Sequence, residues 1–98
     1  MVLFDLPVET VAERRSYVRF RKWLLKDGFT MMQYSTYVRH CATEENADVH
    51  EERICNVLPV WGHVSVLRVT DKQFSRIKNF YGQKPKPGHA TPSQLEMF

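Results

Sequence analysis

The sequence predicts an α+β fold, an antiparallel sheet with helices on one face, and three observations predict it. The chain opens on an unbroken apolar run, Met1 to Phe4, that stops at Asp5 and Pro7. A long segment of helical period follows at once. Strand-like stretches rich in β-branched and aromatic residues then return at 29–41 and 62–69, each followed by a helix-capping signal. The order is strand, helix, strand or two short strands, helix, strand, short helix, tail. That is the split βαβ, ferredoxin-like pattern, βαββαβ with one extra C-terminal helix.

The opening run reads as a strand covered on both faces. Pro7 has no N–H and restricts Leu6 to extended geometry, so the strand ends at about Asp5 or Leu6. Asp5 therefore sits at a strand's C-terminal end. Two explanations stand at this point: a turn-opening or helix-capping residue, or a ligand or catalytic group at the rim of a sheet.

The segment from Val11 to Asp27 is the first helix. Thr10 and Glu13 stand in capping-box relation and Gly28 supplies the stop. At 100° per residue Val11, Val18 and Leu25 fall together, and Tyr17, Phe20 and Leu24 are expected to continue the apolar face. Arg15, Arg19, Lys22 and Lys26 share a narrow arc opposite, either a phosphate-binding stripe or a solvated face. Arg14 and Arg21 lie nearer the apolar border.

The stretch 29–41 is long for one strand, which favours two with a break near Tyr34 and Ser35. Thr43 followed by two acids opens a second helix that ends before Pro59, with a thin apolar face of Ala47, Ile54, Val57 and Leu58. A turn at Trp61 and Gly62 leads into the next strand, where His63 reads as a turn or strand residue. Thr70 and Gln73 then cap a third helix expected to carry Phe74, Ile77, Phe80 and Tyr81 as far as Gly82. Residues 1–82 are taken as the folded domain. Residues 83–98 form a Pro-rich, extended spacer that ends in Leu95, Met97 and Phe98, an apolar patch suited to docking on a partner or adding a strand to one.

At 98 residues the chain is one domain, and 43% hydrophobic with 26% charged residues is a globular rather than a disordered balance. No apolar run approaches the roughly 20 residues that span a bilayer, and no leader pattern opens the chain, so a cytoplasmic protein without membrane contact is expected. Cys41 and Cys55 have neither disulfide-framework nor zinc-ligand spacing. The net charge of +3 is unevenly placed: residues 9–27 hold six basic and three acidic side chains, residues 44–53 one basic and five acidic. A cationic first helix fits a polyanion partner. Beyond Asp5, the reactive types Ser35, His40, His63 and His89 fall into no triad spacing and no phosphate-cradling glycine loop. Tyr17, Tyr34 and Tyr37 serve as packing residues or as base-stacking ones.

Taken together, "VLFDLP" closing the first strand, "ERRSYVRFRKWLLKDGF" as the helix, "MMQYSTYV" as the next strand and "GHVSVLRVTDKQF" near the end resemble the CRISPR-associated protein two family. This is the small CRISPR-associated endoribonuclease and partner of the spacer-acquisition integrase. The resemblance covers about residues 1–81, with Thr36 where that family more often has Val. It implies a ferredoxin-like homodimer that acts in adaptation, bridging integrase dimers and holding duplex DNA. It also implies cleavage of RNA or DNA that depends on Mg2+ or Mn2+ and uses Asp5 as catalytic and metal-binding residue. One carboxylate is a sparse magnesium site, so Asp5 and its symmetry mate in a dimer are expected to share an ion. In that context Arg14, Arg15, Arg19, Lys22 and Lys26 are expected to contact nucleic acid through its backbone. A stand-alone toxin-like ribonuclease or a single-stranded RNA-binding module is the competing expectation.

Overall fold

The computed structural model describes residues 1–82. Leu95, Met97 and Phe98, expected from the sequence to dock on a partner, and the tail that carries them lie outside the described residues. Seven elements follow in order: β1 (Val2–Asp5), α1 (Val11–Lys26), β2 (Thr30–Gln33), β3 (Thr36–Val38), α2 (Glu44–Asn56), β4 (His63–Val66) and α3 (Asp71–Ser75). The chain divides into two compact units, one closing at Arg68 and the other starting at Val69.

In the first unit the sheet order is β2-β3-β1-β4, every neighbouring pair antiparallel. This is the βαββαβ, ferredoxin-like arrangement expected from the sequence. Alternation along β1 buries Val2 and Phe4 and leaves Leu3 and Asp5 on the other face. Val2 and Phe4 pack with Tyr37 of β3, Phe20 and Leu24 of α1, Ile54 of α2, and Leu6 and Phe29 from the connections. Phe4 is the hub of this core. Its ring meets Phe20 edge-on at 5.3 Å and stacks on Tyr37 at 5.7 Å.

Three local expectations change. The apolar face of α1 is centred on Phe20 and Leu24, flanked by half-buried Tyr17 and Trp23, while Val11, Val18 and Leu25 are more than 40% exposed. Those three lie roughly 140° round the helix from Phe20 and Leu24. The large aromatic side chains reach Phe4 and Tyr37, and the sheet can be served by only one side of the cylinder. In α2 the buried residues are His50 and Ile54, and Leu58 is half exposed. The third helix ends at Ser75, not near Gly82. Arg76 and Ile77 donate to Gln73 and Phe74, three residues back, which tightens the last turn and stops the helix. None of its residues is buried, so propensity has no packing to extend it. Its start is as expected, with Thr70 and Gln73 capping each other reciprocally.

The break near Tyr34 and Ser35 is a two-residue hairpin turn joining β2 to β3, in which Ser35 takes a left-handed φ of 61°. The sequence offers no glycine or asparagine there, so the turn is recognisable only as an interruption of the strand pattern.

Candidate functional site

Three chain reversals meet where β1 stops. Asp5 is the last residue of β1, and its side chain belongs to the uncovered face of the sheet. On one side the register of β4 sets His63 directly opposite Asp5. On the other, the Phe4 amide donates to the Ser35 carbonyl at 3.0 Å, which lays the tip of the β2-β3 hairpin beside the end of β1. Asp5 and His63 are both exposed. Residues opposed on one face of an antiparallel pair have Cβ atoms about 4.5–5.5 Å apart, within which a carboxylate and an imidazole can address the same small ligand.

The backbone that holds Asp5 is set by Gly62. This residue has φ +95°, and a Cβ there would lie 2.6 Å from the Asp5 carbonyl oxygen and 2.7 Å from a methyl of Leu6. No side chain fits in that space, so the loop before β4 can close on the end of β1 only through glycine. Sequence reasoning places Gly62 in a turn but has no means of seeing what it touches.

Tyrosines line the same end. Tyr37 is core, 1% exposed. Tyr17 packs edge-on against Phe4 at 6.0 Å and stacks with Tyr34 at 6.3 Å. Burial raises the Tyr17 phenol above its ordinary value, and hydrogen bonding with Tyr34 adds to the rise while Ser35 opposes it. Tyr34, at the hairpin tip, is 74% exposed. Of the three tyrosines it offers the most open ring face for stacking.

Among the described residues no group of three or more His, Cys, Asp or Glu side chains could enclose a metal ion. What the strand end offers is a carboxylate with an imidazole opposite, open to solvent. That donor set fits an ion that keeps most of its water, or one shared with a second copy, and does not fit a closed cage.

The cations of α1 are a second and separate feature, on the helix-bearing side of the sheet and not on the face that carries Asp5. Arg15, Arg19, Lys22 and Lys26 are exposed, and among the described residues no carboxylate pairs with them. Arg14 differs. Its guanidinium donates to the carbonyls of Val8 and Glu9 at 3.2 and 3.0 Å, bracing the entry to the helix. The acidic α2, by contrast, is partly neutralised within the chain. Arg68 bridges Asp48 and Glu51 at 2.6 and 2.5 Å and reaches Glu44 at 3.5 Å, and these carboxylates hold its guanidinium even further above neutrality than usual.

At the opposite end of the sheet Asp27 caps α1 and gathers its neighbours. His50 Nδ1 lies 2.7 Å from Oδ2, Arg53 donates to Oδ1 at 3.1 Å, and Arg39 Nε donates to the Asp27 carbonyl at 2.9 Å. His50 is 5% exposed. Sequence reasoning misses this cluster, although a signal is present: a histidine one turn before Ile54 on a helix with too few apolar residues for a full face.

A four-stranded antiparallel sheet in this order, helices on one face and a bare carboxylate ending its central strand, defines a small ferredoxin-like α+β protein. Residues 1–77 match the family described as CRISPR associated protein Cas2. The chain is 54% identical over 98 residues to the CRISPR-associated endoribonuclease Cas2 of Parvibaculum lavamentivorans, covering 100% of this chain and 97% of that one. It is 51% identical over 98 residues to the protein of the same name from Flavobacterium psychrophilum, covering 85% of it. With that of Ligilactobacillus salivarius it shares 46% over 86 residues, 88% of this chain and 85% of the relative. The chain belongs to the Cas2 family. No helix among its described residues is long and apolar enough to cross a membrane.

Proposed function

We propose that the protein is the adaptation subunit of a CRISPR system, a homodimer that carries duplex DNA for the integrase, with a metal-dependent phosphodiesterase activity centred on Asp5. The observation that supports it is the presence of two features on one small domain: a cationic arc along α1 and a carboxylate at the sheet's open end, neither of which has an ion-pair partner among the described residues. Arg15, Arg19, Lys22 and Lys26 neutralise phosphates without reading bases, which suits a scaffold that must accept any sequence. Relatives bearing the name endoribonuclease support the hydrolytic side of the proposal.

For hydrolysis, Asp5 and the Asp5 of a second copy would hold Mg2+ or Mn2+. When bound, such an ion polarises a phosphoryl oxygen and makes its water more acidic. The chain's own part is to hold the carboxylate at a rim where a phosphate can approach, through the β1 register and the close contact at Gly62. No second general acid or base stands ready in the described residues beyond His63, a sparse inventory for efficient turnover and consistent with a scaffold that cleaves slowly. One observation favours a second reading, single-stranded RNA as substrate: Tyr34 projects an exposed ring beside the same strand end, where it can stack on an unpaired base.

Charge reversal tests the scaffold. Arg19→Glu with Lys22→Glu should weaken duplex binding for every sequence and reduce the slope of log affinity against log salt by roughly two units. An unchanged slope would make the arc an ordinary solvated face. If Tyr34→Ala lowers RNA cleavage while leaving duplex binding intact, the second reading gains; equal loss on both substrates counts against it.

A further inference from the structure

We infer that His63 is a metal ligand that tunes the Asp5 site toward first-row transition ions, so that this protein binds Mn2+ in preference to Mg2+. The inference rests on the Asp5 metal site proposed above and goes beyond it by adding a nitrogen donor and a selectivity. Its ground is the register of the sheet. Asp5 ends β1 and His63 begins β4, and the antiparallel pairing makes them direct partners. The same register sets Phe4 opposite Val64, and Phe4 is buried in the core. Slipping by one residue would turn Phe4 out to solvent, so core packing fixes the Asp5–His63 juxtaposition.

The chemistry follows from the donor atoms. Mg2+ takes oxygen ligands in near-ideal octahedral geometry and gives up water reluctantly. Imidazole nitrogen contributes little to its binding. The same nitrogen is a good ligand for the later divalent ions, with affinity rising from Mn2+ through Co2+ and Ni2+. A lone carboxylate discriminates weakly, whereas a carboxylate with an imidazole across the strand discriminates by type of metal. Exposure of both residues lets an ion enter without opening the fold and leaves room for several waters. Among the described histidines His50 is differently placed, buried against Asp27 in the cluster at the sheet's other end.

The test is equilibrium binding of MnCl2 and of MgCl2, by calorimetry, to the wild type, His63→Ala, His63→Gln and Asp5→Asn, with thermal melts to verify folding. Imidazole NMR signals are followed in parallel as Mn2+ is added. His63→Ala and His63→Gln should each lower Mn2+ affinity roughly tenfold and leave Mg2+ affinity nearly unchanged. The paramagnetic ion should broaden the His63 ring signals before those of His50. If the His63 variants bind Mn2+ as the wild type does while Asp5→Asn loses both ions, His63 is no ligand and the Asp5 site stands. If Asp5→Asn loses neither ion, or the wild type binds none, the metal site itself is refuted and this inference falls with it.

Discussion

Asp27 and Asp5 are two carboxylates at the two ends of one sheet, and the fold treats them oppositely. Asp27 ends α1 with a side chain only 12% exposed, and each of its oxygens has a cationic or imidazole partner, His50 on one and Arg53 on the other. Asp5 ends β1 exposed, and among the described residues its carboxylate has no hydrogen bond or ion pair. Burying a carboxylate without partners is costly, so Asp27 is tied into a network that joins α1, Arg39 in the segment after β3, and α2. Leaving one bare at a rim costs the fold little and gives it nothing. The difference separates a charge that holds the structure from one that is available to something else. An unanchored carboxylate is positioned only by the backbone behind it, and that backbone lies against Gly62, where a Cβ would meet the Asp5 carbonyl oxygen at 2.6 Å.

The sharpest way to break this comparison is to remove each carboxylate in turn. Asp5→Asn should abolish metal-dependent cleavage, shift stability by less than about 0.5 kcal/mol, and leave duplex binding in place. Asp27→Ala should do the reverse. It leaves His50 buried without its partner and should cost about 1–3 kcal/mol in urea unfolding, while cleavage by the folded fraction persists. Stability losses of equal size at the two positions would mean that Asp5 is a structural residue after all. Gly62→Ala lies between the two. Its left-handed backbone and the 2.6 Å approach to the Asp5 carbonyl predict a loss of about 1–3 kcal/mol together with reduced cleavage, because the shift falls on the residue that carries Asp5. A variant that loses stability but cleaves normally would show that the site tolerates movement of the strand end.

The element order, the strand carrying Asp5, both capping boxes and the exposed cationic arc of α1 were legible in the sequence, because each depends on near neighbours or on period. What escaped was decided by contacts distant in sequence. The core face of α1 could not be told from the Val11, Val18, Leu25 stripe, since both are apolar at helical spacing and only the position of Phe4 and Tyr37 chooses between them. His63 reads as a turn or strand residue and does begin β4, but its position opposite Asp5 lies in the register with β1, some sixty positions earlier. His50 receives no assignment, because a histidine does not count toward the apolar face of α2. Its partner Asp27 is the residue that the sequence assigns, correctly, to ending a helix, and one residue performing two tasks leaves a single trace.

The smallest expected effect concerns Tyr17, which links the structural and the available parts of the molecule through its contacts with Phe4 on one side and Tyr34 on the other. Burial, assisted by Tyr34, raises its phenol pKa in the folded state. A raised folded value means that the neutral phenol stabilises the fold fully below the unfolded pKa of about 10 and that this contribution is lost as pH climbs through the folded value. Unfolding midpoints in urea should therefore be insensitive to Tyr17 at pH 8 and should fall as pH rises past the unfolded value of about 10. Tyr17→Phe keeps the ring against Phe4 and removes the titrating group, so it should change little at pH 8 and flatten the alkaline fall. Tyr34→Phe, which deletes the hydroxyl assisting the rise, should flatten it less, since burial is the larger cause. If Tyr17→Phe falls as steeply as the wild type, the alkaline sensitivity belongs elsewhere, and Tyr17 joins Tyr37 as a packing residue only.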